Sequence, residues 1–489
     1  MENTVLKQKQ MNWKYQEQQK CWLLEQVVYC NNPENIEEQC MNIYVPKEYL
    51  DKEGKLNKEG SRGGYTPFNA PVIFENGLAG YMQAEPFSLT DDRSMGEEAI
   101  REGFVYVSCG CRGRSSVNEQ GILCGKAPVS VADLKAGIRF LRKNKELIPG
   151  NMERIISVGI SAGGAMSTLL GCTGDGYEYD SELEKMGAVL DESDAIFGAQ
   201  CYCPITDLDY ADFAYEWMFE GKSDYTGMPF VGFEAGTLSA FCQALSKKMG
   251  KRYIEYFNHM NLTHPVTGEH LLLEAGKQGS GAAFLKEKLE QSAEKFIRKK
   301  LAAQETLPDY FWLNWNGEKA KITSLEDMET DYHKRLKLCP AFDDLDLIQA
   351  ENQEFGTSKE DKRHFNTELA EIMEELREKY PEEVSCYLDG YKKIIGDQEL
   401  EWQKRLLNPL NFIPRKGENE SSVLAPYYRI RVGAKDADTS LTVTMLLALR
   451  LIEINKTQVD YEIVWDESHG RADYPGEMMA WVKKICPAE

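Results

Sequence analysis

No apolar run in the 489-residue chain approaches the roughly 20 residues that a membrane-crossing helix needs. The best stretch, Val443 to Leu449, is cut short by Arg450. Positive charge is scarce: 57 Lys and Arg stand against 79 Asp and Glu, a formal net charge of −22. A surface that acidic repels phosphate backbones and anionic headgroups, so neither nucleic acid nor a membrane is expected as a partner. The opening Met1-Glu2-Asn3-Thr4 and Lys7-Gln8-Lys9-Gln10 carry no apolar core, so no secretory signal is expected. No internal repeat or low-complexity tract is present. The 13 cysteines are odd in number and scattered. Cys109-x-Cys111 and Cys201-x-Cys203 match neither zinc nor redox spacing and lie in strand-like stretches. Reduced thiols in a cytoplasmic protein, with no metal, are therefore the expectation.

What remains is the composition of a globular chain, 42% hydrophobic and 28% charged. Its length suits about three domains or one enlarged α/β domain. From about Cys40 to Trp217, short β-rich runs alternate with helical patterns. Met41–Val45, Val72–Glu75, Phe104–Ser108 and Ile155–Gly159 read as strands, and Val131–Lys145 carries apolar residues at three- and four-residue steps. That alternation predicts βαβ units around a parallel sheet. From about Phe219 to Arg405 the chain turns long, charged and helical, as in Phe284–Gln304 and Glu368–Tyr380. Strands then return at Tyr427–Val432 and Tyr461–Trp465, with helices at Ser440–Glu453 and Gly476–Ile485. The expected architecture is an α/β core (1–218 and 406–489) interrupted by a helical insertion (219–405).

Gly159-Ile160-Ser161-Ala162-Gly163 fits G-x-S-x-G, with a strand before it and a helix-compatible run after it. Such a turn presents the serine hydroxyl at the carboxyl edge of a sheet, above a helix N-terminus. A chance glycine-rich turn is the plain alternative, and the strand–turn–helix context argues against it. Gly171-Cys-Thr-Gly174-Asp-Gly176 follows a helix and reads as a loop.

Serine needs a general base. Of six histidines, His259, His264, His270, His333 and His364 fall in the insertion, and only His469 follows a core strand. The orienting acid is expected after the preceding strand, where Asp436 and Asp438 both stand. Either aspartate could instead cap the helix starting near Ser440. Asp438 suits that role by position, which favours Asp436 for the acid. The oxyanion hole calls for two backbone N–H donors. Ala162 is one; Gly77 or Leu78, in Asn76-Gly77-Leu78-Ala79-Gly80 after the third strand, is the other.

Further segments carry a family resemblance. Gly125-Lys-Ala-Pro-Val-Ser-Val-Ala-Asp133, the Ser161 turn, Cys203-Pro-Ile-Thr-Asp207-Leu-Asp209, Pro340-Ala-Phe-Asp343 with Glu351-Asn352, Pro409-Leu-Asn-Phe412 and Gly433-x-x-Asp436-x-Asp438-Thr-Ser440 resemble bacterial tannases over nearly the whole chain. The resemblance implies an α/β-hydrolase core with a large helical lid, hydrolysing galloyl esters and depsides of gallic acid. It implies a triad of Ser161, Asp436 and His469, with Asp438 in the substrate pocket. It also implies that Lys337 and Glu351, fourteen residues apart and ahead of Phe355-Gly356, join Asp438 in holding phenolic hydroxyls. Carboxylates that accept and an ammonium that donates would suit three adjacent phenol groups. By position alone, Lys337 and Glu351 read as ordinary surface charges.

The expected partner is thus a small aromatic ester, with no cofactor, acting in a monomer or homodimer. A feruloyl or general carboxylesterase is the alternative, for which an apolar pocket is expected. A serine peptidase of this fold is less favoured, since no docking domain for peptide ends is visible. A non-catalytic scaffold would have no need of all three triad residues.

Overall fold

The first 202 positions supply strands β1 (Lys14–Gln16), β2 (Cys21–Val28), β3 (Cys40–Pro46), β4 (Val72–Asn76), β5 (Val105–Cys109), β6 (Ile155–Ile160) and β7 (Gly198–Tyr202). Helices α1 (Gly96–Glu102), α2 (Val129–Lys143), α3 (Ala162–Cys172), α4 (Asp180–Lys185) and α5 (Leu208–Met218) are interleaved with them. A hairpin of β8 (Asp224–Tyr225) and β9 (Gly236–Thr237) precedes α6 (Ala240–His259) and α7 (Ser280–Ala302). A second hairpin, β10 (Leu313–Trp315) and β11 (Ala320–Ile322), leads to α8 (Leu325–Asp331), α9 (Ala350–Glu354), α10 (Glu368–Leu376), α11 (Pro381–Lys392) and α12 (Gln398–Leu407). The chain closes with β12 (Tyr427–Gly433), α13 (Leu441–Ile452), β13 (Gln458–Val464) and α14 (Glu477–Ile485). The structure is a computed structural model and describes residues 4–7, 11–228, 234–415, 418 and 421–488. Parts of the N-terminal stretch read for a secretory signal, 1–3 and 8–10, lie outside the described residues.

Nine strands form one sheet in the order β1-β2-β3-β5-β4-β6-β7-β12-β13. The pairs from β5 through β13 are parallel, and β1, β2 and β3 add an antiparallel edge. Every residue of β4, β5 and β7 is buried, as befits parallel strands covered on both faces. Helix α3 packs on β6 and β7, α13 on β12 and β13, and α1 on β3 and β5. This is the α/β core around a mostly parallel sheet that the alternation of strands and helices predicts, and it agrees with the α/β-hydrolase core that the resemblance implies.

Several boundaries differ from expectation for physical reasons. The helix expected over 368–380 stops at Leu376, because Pro381 occupies the first turn of α11 and cannot continue a helix. Strand β13 begins at Gln458 rather than Tyr461, since its ladder with β12 starts at the pair Tyr427 and Gln458. The edge strand β1 is largely exposed and polar, so no alternation marks it. The expected boundary at 405/406 falls within α12.

Candidate active site

Strand β6 runs straight into Ser161, which sits at φ 60°, ψ −123°. An L-residue in that region stores roughly 1–3 kcal/mol of strain. Tight packing holds it there. A Cβ on Gly159 would lie 2.1 Å from the Gly163 carbonyl oxygen, and one on Gly163 would lie 2.6 Å from Asn76 Oδ1 and 2.8 Å from the Leu78 carbonyl oxygen. The Ser161 N–H donates to the Tyr202 carbonyl at 3.0 Å, which ties the turn to β7.

Three side chains from three different loops meet at this turn. His469 Nε2 lies 2.8 Å from Ser161 Oγ, and His469 Nδ1 lies 2.8 Å from Asp436 Oδ2. Asp436 is fully buried, and its Oδ1 accepts the Asp438 N–H at 3.0 Å. Burial pushes the His469 imidazole down, but the Asp436 carboxylate outweighs it and holds the ring well above its ordinary pKa. His333, from the insertion, bonds through Nε2 to the Asp436 carbonyl, and burial pushes its pKa down to about 4, leaving it neutral. His364 is bound to Asp343 instead. Among the described residues only His469 reaches Ser161.

The helix cap is a correction to the sequence reading. Neither aspartate caps α13; the Ser440 side chain does, accepting from the Thr442 N–H. Asp438 is thereby left free to face the cavity.

The loop after β4 lies across the start of α3. Asn76 Nδ2 donates to the Val158 carbonyl (3.1 Å), the Gly163 carbonyl (3.2 Å) and Ser167 Oγ (3.2 Å). Gly77 and Leu78 line the cavity beside Ser161. Ala162 opens α3, so its N–H is a first-turn donor without an intrahelical acceptor. The two segments expected to supply oxyanion donors are therefore adjacent.

A cavity of about 480 Å³ extends from Ser161 and His469 to Lys337, Glu351 and Asp438. Lys337 and Glu351 are buried, 4% and 5% exposed, rather than being surface charges. Lys337 Nζ lies 3.9 Å from Asp438 Oδ1 and 4.2 Å from the centre of the Phe342 ring. Burial pushes the Glu351 carboxyl above its usual range, with Lys337 pulling the other way. Among the described residues, the Glu351 carboxylate meets only its own backbone N–H, and no hydrogen bond joins Lys337 Nζ or the Asp438 carboxylate to another side chain. Three charged groups thus present unspent donors and acceptors to one cavity.

Sequence reasoning missed what holds these groups in register. Tyr215 on α5 donates its hydroxyl hydrogen to the Ala437 carbonyl (3.0 Å) and accepts the N–H groups of Leu336 (3.1 Å) and Lys337 (3.0 Å). One position on, Glu216 forms a fully buried pair with Arg335 (2.8 and 2.6 Å), whose Nε donates to the Lys337 carbonyl. Asp212, one turn earlier, accepts the Phe342 N–H at 2.7 Å. Positions i, i+3 and i+4 share one helix face. The signal available was the polar character of Asp212, Tyr215 and Glu216 among the apolar residues of α5. Cys203 Sγ also lies near the site, 3.9 Å from His469 Nε2. Cys203, Asp436 and His469 are the one group of potential metal ligands among the described residues, and both histidine nitrogens are already hydrogen-bonded there.

A family model described as BD-FAE matches residues 79–211, which include the Ser161 turn. Similar solved structures include the native tannin acyl hydrolase from Lactobacillus plantarum, at 28% identity and TM-score 0.85 over 99% of each chain. A tannin acyl hydrolase in complex with ethyl gallate matches at 28% identity and TM-score 0.81, over 95% of this chain and 94% of that one. Fusobacterium nucleatum tannase matches at 30% identity and TM-score 0.80 over 95% of each chain. The chain belongs to the tannase family. It is a carboxylic ester hydrolase. No curated protein matches the sequence.

In this tannase-family protein, Gly163→Ala is expected to push the Leu78 carbonyl and Asn76 off α3. A shift of about 1 Å in such a loop lowers ester turnover roughly a hundredfold. Steady-state hydrolysis of p-nitrophenyl acetate checks this; unchanged turnover would contradict the packing argument.

Proposed function

We propose that the protein is a serine esterase cleaving galloyl esters and depsides of gallic acid through Ser161, His469 and Asp436. The observation that carries this reading is the convergence of Lys337, Glu351 and Asp438, with unspent hydrogen-bonding capacity, on the cavity that holds Ser161. A trihydroxyphenyl ring offers three adjacent O–H groups that would satisfy two carboxyl groups and an ammonium together. The ethyl gallate bound by a similar tannin acyl hydrolase supports the same assignment. The segment 219–405 is proposed as the lid, since it contributes Lys337 and Glu351 to the pocket.

The chemistry follows from the geometry. His469 Nε2 takes the proton of Ser161 Oγ as the oxygen attacks the ester carbonyl carbon. The N–H groups of Ala162 and of Gly77 or Leu78 receive the developing oxyanion. The tetrahedral intermediate collapses, the ester C–O bond breaks, and the proton held on Nε2 passes to the departing alcohol oxygen. Water then repeats the sequence on the galloyl-serine ester, releasing gallic acid and restoring the hydroxyl.

Two expectations follow from these roles. The imidazole must be neutral to accept a proton, and Asp436 raises its pKa. The acidic limb of kcat/KM for p-nitrophenyl acetate should therefore have its midpoint above the ordinary histidine value of about 6.5. Asp436→Asn should move that midpoint down and lower kcat up to about 10⁴-fold. A wild-type midpoint at or below about 6.5 would contradict the ion pair. The substrate assignment is tested by Lys337→Ala and Glu351→Ala assayed on two esters. Each hydrogen bond lost to a charged group is worth about 1.5–3 kcal/mol. The ratio of kcat/KM for methyl gallate to that for p-nitrophenyl acetate should therefore fall roughly ten- to a hundredfold, and methyl benzoate should be a poor substrate. Equal losses on both esters would leave a general carboxylesterase as the better description.

A further inference from the structure

The clamp accounts for the acyl half of an ester, and the alcohol half must leave past His469, because His469 Nε2 delivers its proton. One part of the cavity wall is unusual. Phe87 and Arg93 line the same cavity as Ser161 and His469. Arg93 sits over Phe87, its guanidinium carbon 4.4 Å from the ring centre. Asp91 grips the guanidinium in a fork, at 2.9 Å from Nε and 2.8 Å from Nη2. The backbone beneath is fixed to the catalytic loops. Arg471, two residues after His469, donates to the Arg93 carbonyl at 2.6 Å, and the Met95 N–H is held by Glu75 at 2.9 Å. Phe87 is fixed as well, its N–H bonded to Ser108 Oγ at 2.6 Å and its ring so close to Gly77 that a Cβ there would lie 2.5 Å away. The guanidinium is thus held by Asp91 close over the Phe87 ring, and its side chain stays 64% exposed.

A planar cation fixed beside an aromatic ring, with most of its side chain exposed, can take a further aromatic ring. We propose that Arg93, held over Phe87, forms a leaving-group subsite for aromatic alcohols, so that the enzyme favours galloyl esters of phenols over those of aliphatic alcohols. The proposal rests on the galloyl-esterase reading above. In the acyl-transfer step the phenolic oxygen leaves the carbonyl carbon, takes the proton from His469 Nε2, and departs with its ring against the guanidinium. The acyl group stays on Ser161 Oγ.

The test compares three esters with the same acyl group: methyl gallate, phenyl gallate and meta-digallic acid. They are assayed with wild type, Arg93→Ala and Arg93→Lys. Stacking on an arginine plane is expected to make the kcat/KM ratio of phenyl gallate to methyl gallate fall roughly three- to tenfold in Arg93→Ala. The digallic acid ratio should fall alongside it. Arg93→Lys keeps the charge and loses the plane, so it should not restore the phenyl gallate ratio. Equal losses on all three esters, or none, would overturn the subsite alone. A loss confined to digallic acid would replace the ring platform with a simple carboxylate contact and would also overturn it. Absence of methyl gallate turnover by the wild type would overturn the galloyl reading and the subsite together.

Discussion

Three consecutive residues, Asp436-Ala437-Asp438, fix the distance between Ser161 and the cavity's charged groups. The Asp436 side chain holds His469 against Ser161, and the Asp438 side chain faces Lys337. Between them the Ala437 carbonyl is gripped by the Tyr215 hydroxyl, which also takes the Lys337 N–H. Asp436 Oδ1 accepts the Asp438 N–H, so the loop is braced from within as well. A shift of this tripeptide would move the carboxylate bound to His469 and one wall of the pocket together, because one short backbone carries both.

That coupling depends on buried polar groups that a hydrophobic core would not need. Glu216 and Arg335 are both fully buried, and their fork-to-fork geometry, with added bonds to the Lys337 and Leu338 carbonyls, satisfies the charges. Breaking such a pair costs about 3–5 kcal/mol, whereas its net stabilisation is small. Its structural effect here is positional: it locks the segment bearing Lys337 onto α5. The strained serine turn is held in the same manner. Asn76 fastens the loop after β4 to both β6 and α3, and the absent side chains at Gly159 and Gly163 let those elements touch. Rigid, close packing on both sides keeps the hydroxyl and the expected N–H donors in one geometry without further reorganisation.

The core was largely legible because buried parallel strands announce themselves as short apolar, β-branched runs, as in Val72-Ile73-Phe74 and Ile155-Ile156. The site was legible where it follows strand ends: Ser161 after β6, Asp436 after β12 and His469 after β13. Lys337 and Glu351 were another matter. Their burial depends on long-range packing, such as the bonds that tie the Lys337 segment to α5, and nothing local in the sequence separates them from exposed lid charges; only the family resemblance singled them out. Tyr215, His333 and Arg93 gave still less signal, since each acts through a backbone carbonyl or a ring stack that spacing cannot encode. The capping of α13 by Ser440 rather than an aspartate was within reach, because serine is as good a cap as aspartate and stands directly before the helix.

The central claim is that one cavity holds a galloyl ring by its hydroxyls while presenting the ester to Ser161. The most direct test is a crystal structure of Ser161→Ala soaked with methyl gallate, which retains the intact ester. The account predicts the ring seated with its hydroxyl oxygens in hydrogen-bond contact with Lys337 Nζ, Glu351 and Asp438. It places the ester carbonyl carbon about 3–3.5 Å from where Oγ would stand, with the methoxy group toward His469 and Arg93. A ring lying against Phe87 and Arg93 with the three charged groups still unpaired would contradict it.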